Sequence, residues 1–161
     1  MAFKDSFTDD EWAQVAHAPM MAMVAIGAAD PGGLLAAAKE GTALALALSH
    51  ASKDASEGLV HEVADEIKTT KPGRKQLGIE HPQSREHVEQ MATDAIRRAA
   101  ALVAAKVPAE SDGYRAFLMT TSERIANAAK EGGFLGIGGE RVSAAEEHAL
   151  AEIAGALGVT R

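Results

Sequence analysis

The chain has no cysteine. A disulfide framework, a thiolate nucleophile and a thiolate metal site are therefore excluded. Aromatic residues make up only 4% of the sequence, and the β-branched and aromatic types that favour strands are scarce. Basic residues are outnumbered, 16 Lys and Arg against 23 Asp and Glu, for a net charge of −7. Nucleic-acid binding relies on concentrated Lys and Arg to displace counterions. Here the one basic cluster, "KTTKPGRK", falls in a turn-rich stretch, so a nucleic-acid role is not expected. The longest apolar run, from Ala18 to Ala29, contains Pro19 and is shorter than a bilayer requires. The opening "MAFKDSFTDDEW" is acidic and polar, unlike a basic n-region followed by an apolar core. These features lead to the expectation of a cytoplasmic protein without a transmembrane segment.

What is present is alanine, the best helix former, within a 47% hydrophobic composition. The 161 residues favour one domain with a real core. The reading is all-α: a single Ala-rich bundle of five to seven helices spanning residues 1–161.

Helix signals are dense. Thr8 and Glu11 have capping-box spacing, and Phe7 and Trp12 have hydrophobic-staple spacing. Trp12, Val15, Pro19, Met23 and Ile26 follow at helical intervals, with Pro19 expected to kink or split the helix. Asp30 and Pro31 suit the start of a second helix, from about Leu34 to Ala51. Leu35, Ala38, Thr42, Ala45 and Leu46 mark one side of it, and Leu44 and Leu48 broaden the surface. Gly41 inside this helix suggests a close helix contact. A third helix, 56–68, aligns Leu59, Val60, Val63 and Ile67. "TTKPGRKQLGIEHPQ" is a long connection. A fourth helix runs from Ser84 to Lys106, with Val88, Met91, Ala95, Ala99 and Leu102 inward. A fifth runs from Asp112 to Lys130, using Tyr114, Phe117, Leu118, Ile125 and Ala129. A final helix, capped by Ser143 and Glu146 and stopped by Gly158, carries Leu150, Ile153 and Leu157. The turns "ADPGG" and "ESDG" make the halves loosely alike, which admits a degenerate helical duplication.

"GGFLGIGGERVSAAEE", residues 132–147, places five glycines in eight residues. A phosphate-binding P-loop is excluded, because Gly139 and Glu140 stand where lysine and a hydroxyl belong. A dinucleotide fingerprint fails at Arg141, where its third glycine should be. Two readings stay open for Phe134, Leu135 and Ile137. They close over the end of the bundle, or they form an exposed apolar contact for a partner or membrane surface.

Six histidines raise the question of a metal. His50 with Asp54, Glu57 with His61, and His61 with Asp65 share i,i+4 spacing. Glu-x-x-His, which a di-iron carboxylate bundle uses, does not occur. His-Glu-x-x-His is also absent, and so is the G-x-S-x-G elbow. No catalytic constellation is present, and the chain is read as a non-enzyme.

The segment "FTDDEWAQVAHAPMMAMVAIGAADPGGLLAAAKE", together with "GGERVSAAEEHALAEI", resembles the small bacterial tellurite-resistance TerB-like helical proteins, over about a third of the chain. That resemblance implies an all-α fold and, in some members, an acidic site for a divalent cation such as Ca²⁺ or Mg²⁺. Asp30 and Glu40, joined by Glu140 or Glu146, are the residues it points to; Gly139 stands at the second aspartate position. The functional expectation is a non-enzymatic bacterial protein acting through protein–protein interaction or self-association in a stress-related setting. Phe134, Leu135 and Ile137 form the expected contact, and the divalent-cation module is the alternative. A third reading is a small enzyme or ligand carrier with a pocket around Met20, Met21 and Met23.

Overall fold

The computed structural model describes residues 2–29, 34–54, 58–81, 84–130 and 142–161, with side chains at 34–40, 52, 54, 129 and 130 outside the description. The described chain is all helical, an architecture of six α-helices. They are α1 (Asp9–Ala29), α2 (Leu34–Asp54), α3 (Leu59–Thr70), α4 (Arg85–Lys106), α5 (Ser111–Lys130) and α6 (Ala144–Leu157). Short 3-10 turns precede α1 at Phe3–Ser6 and α5 at Pro108–Glu110.

The helix starts follow from capping chemistry. The Thr8 amide donates to Glu11 Oε2 at 2.8 Å, and the Glu11 amide donates to Thr8 Oγ1 at 3.3 Å. Phe7 packs on Trp12 with ring centroids 6.0 Å apart, closing the staple. Ser84 Oγ accepts the His87 amide and starts α4. A reciprocal Ser143–Glu146 box starts α6, and Gly158 ends it with φ 66°. Gly58 opens α3 with no side chain to offer, and Glu110 supplies the missing acceptor from 51 residues away. The Leu59 amide donates to Glu110 Oε2 at 3.1 Å.

α1 is the hub. Its largest interface is with α4, and it also touches α2, α3, α5 and α6. Ala16, Ala18, Ala22 and Ala25 are buried on α1, as are Ala92, Ala99 and Ala100 on α4. Side chains this small let two helices approach closely. Among the described residues α1 alone is long and apolar enough by composition to cross a membrane, but much of its apolar surface is core.

Pro19 does not split α1, which runs unbroken from Asp9 to Ala29. Proline lacks an amide, so it cannot donate to the carbonyl of Val15 four residues back, and its ring pushes that carbonyl aside. Val15 is fully buried, where an unpaired carbonyl is costly. The donor comes from α5: Tyr114 Oη donates to the Val15 carbonyl at 2.7 Å. Tyr114 is itself wholly buried, and burial drives its hydroxyl far above the ordinary phenol range, so it remains a donor.

Several inward faces differ from their sequence reading. On α2 the Leu35 and Ala38 side chains lie outside the description, and among the described ones the buried residues are Ala43, Leu44, Ala47 and Leu48; Thr42 and Ala45 are exposed, and Leu46 is 56% exposed. On α4 they are Ala92, Thr93, Ile96, Ala99, Ala100 and Val103, with Val88, Met91, Ala95 and Leu102 only half-buried. Alanine on nearly every side makes the apolar arc so wide that hydrophobicity alone does not fix its centre. Gly41 makes no tight helix contact, since a Cβ built there meets nothing within 4 Å. Met23, Val60 and Phe117 are half-buried rather than core. α3 begins three residues later than read, at Leu59; residues 56 and 57 lie outside the description.

Candidate functional site

Of the residues singled out from sequence, Asp30, Phe134, Leu135, Ile137 and Glu140 lie outside the described residues, as does the side chain of Glu40. Glu146 is described. It is 4% exposed, and its Oε2 accepts the Ser143 amide at 2.7 Å while its own amide donates to Ser143 Oγ at 3.2 Å. The local chemistry that Glu146 performs is therefore helix capping. Glutamine serves the same capping geometry. Glu146→Gln is expected to cost no more than ~1 kcal/mol in thermal or urea unfolding, the charge–dipole share of the interaction. Calorimetry of the same variant with Ca²⁺ or Mg²⁺ shows whether the carboxylate also serves a cation.

Among the described residues no group of three or more His, Asp or Glu side chains is arranged to hold a metal ion. His61 and Asp65 do meet, Nε2 to Oδ2 at 3.3 Å, on the exposed side of α3. His50 lies 3.4 Å from Arg124. Glu57 and the Asp54 side chain lie outside the described residues.

The densest polar cluster ties the N-terminal segment to α3. Glu62 accepts the Phe3 amide at 2.9 Å and the Lys4 amide at 3.0 Å. One turn on, Glu66 Oε2 accepts the Trp12 indole N–H at 3.0 Å and pairs with Lys4 Nζ at 3.3 Å. The indole hydrogen bond, reinforced by Lys4, holds the Glu66 carboxyl below the usual range. Burial lowers the pKa of nearby His17, against the opposing pull of Glu66. Every member of this cluster has a structural partner, so it reads as a latch. Composition gave no hint of it, because Glu62 and Glu66 lie 50 or more residues from their partners.

Two clefts remain. One, of about 430 Å³, lies between α5 and the end of α6, lined by Asp112, Arg115, Met119, Thr120 and Val159 among others. Arg115 Nε there is buried without a hydrogen-bond partner. The other, of about 500 Å³, opens between α1, α2 and α3. Its floor is apolar, from Met20, Leu44, Leu48 and Ile67, and Lys68 and Lys71 stand on its lining. Of the methionines read as a pocket, only Met20 reaches this cleft; Met21 is buried in the core. Its volume falls in the range of small-molecule sites.

Comparison of the chain with protein-family models, curated proteins and solved structures finds no match.

Proposed function

We propose that this chain is a non-enzymatic, cytoplasmic bacterial helical protein that works by binding, through a protein partner or a second copy of itself. The observation that carries the reading is the finish of the described surface. Leu46 is the one large hydrophobic residue among the described residues that stands exposed. A partner contact needs more apolar area than one leucine supplies. The richest remaining source in the sequence is Phe134, Leu135 and Ile137. Thr8, Glu11, Ser84, Ser143 and Glu146 are engaged in caps, and Glu62 and Glu66 in the α3 latch, which supports binding over catalysis. The partial resemblance to TerB-like proteins supports a stress-related setting, with a divalent cation held by Asp30, Glu40, Glu140 and Glu146 as the alternative.

The test is a Phe134→Ser, Leu135→Ser double variant. Native mass spectrometry is expected to show loss of the higher-order species, with the monomer's melting temperature unchanged. A collapse in melting temperature would instead place both side chains in the chain's own core.

A further inference from the structure

We infer that the cleft between α1, α2 and α3 is a binding site for a small amphiphile with one carboxylate head and a linear apolar tail, of the fatty-carboxylate class. Four observations converge there. First, the cleft holds about 500 Å³ and is floored by Met20, Leu44, Leu48 and Ile67, flexible or branched side chains suited to an alkyl chain.

Second, room is left where an ordinary helix would fill it. Gly41 lines the cleft, and a Cβ at that position would meet nothing within 4 Å. A glycine inside a helix costs about 1 kcal/mol relative to alanine. Close packing does not require it here, and its effect is to keep the cleft open.

Third, the charge at the cleft is opposite in sign to that of the chain. Lys68 and Lys71 both line it, in a protein of net charge −7. Lys68 is shared with Asp65 at 3.6 Å, an exposed pair of small energetic weight.

Fourth, Lys71 is held in a left-handed conformation, φ 44° and ψ 60°, at the end of α3. It is the one non-glycine residue among the described residues with positive φ. Glycine or asparagine is the usual choice at such a helix end. Backbone strain of this kind clusters at ligand-binding positions. An apolar tail on the floor and an anionic head between two ammonium groups satisfy all four features together.

The experiment is isothermal titration of the full chain with dodecanoate below its micellar concentration, with acetate as the tail-less control. Saturable binding of dodecanoate but not acetate is expected. Two variants locate it. Gly41→Leu projects a side chain into the cleft from open space and is expected to abolish binding while leaving melting unchanged or raised. Lys68→Gln with Lys71→Asn removes both charges, and asparagine tolerates the left-handed backbone. This variant is expected to weaken binding at least tenfold with its fold intact by circular dichroism. Absence of saturable heat with the unmodified chain overturns the proposal. So does binding that survives in both variants. Association through Phe134 and Leu135 is read by mass, so its outcome stands apart from this one.

Discussion

Tyr114→Phe is expected to destabilise the protein by about 1–3 kcal/mol, the cost of leaving a buried carbonyl without its donor. The ring stays and its packing is retained, so the effect isolates one hydroxyl. The reason lies in α1: Pro19 cannot donate to Val15, and Tyr114 Oη does so at 2.7 Å from α5. A double-mutant cycle makes this argument specific. In a Pro19→Ala background the new amide at position 19 can close the helical bond to Val15. Tyr114→Phe should then cost much less than it does alone, giving a coupling energy of about 1 kcal/mol or more. Equal costs in both backgrounds would show that the hydroxyl serves some purpose other than replacing the missing amide. Urea unfolding monitored by circular dichroism measures all four corners.

The same hydrogen bond shows where sequence reading stops. Pro19 was legible as a disturbance to a helix, and Tyr114 as a core residue. Nothing local connects them, because Tyr114 and the Val15 carbonyl that Pro19 leaves unpaired lie 99 positions apart. Caps behave in the opposite way. Thr8 with Glu11 and Ser143 with Glu146 act across three residues, so spacing alone located both. The α3 start lacked such a signal, since Gly58 has no side chain and the acceptor is Glu110. Which face of α2 and α4 turns inward was only partly legible, because alanine carries too little hydrophobic contrast to orient a helix. Met20 was legible as part of a pocket. The lysines opposite it were not, since Lys68 and Lys71 reach the cleft from α3 and the residue that ends it.

Trp12→Ala should produce the largest single loss, about 3–5 kcal/mol, in line with truncation of large core aromatics. Trp12 is 4% exposed and joins three elements at once. It is stapled to Phe7, its indole N–H donates to Glu66 on α3, and Lys4 Nζ lies 5.9 Å from its ring. The N-terminal turn, α1 and α3 therefore lose a common anchor. Because Trp12 is the one tryptophan, the variant must be followed by circular dichroism rather than emission. Trp12→Phe separates the ring from the hydrogen bond. It retains much of the apolar contact but removes the leading cause of the lowered Glu66 pKa. A carboxyl with a depressed folded pKa adds stability above its unfolded value, near pH 4.5, and loses it as pH falls through the folded value below that. In the parent protein this contribution should therefore be lost as the pH falls from about 4.5 through the lower folded value. In Trp12→Phe that acid-side decline should be shallower. An identical decline in both proteins would assign the acid sensitivity to carboxylates other than Glu66.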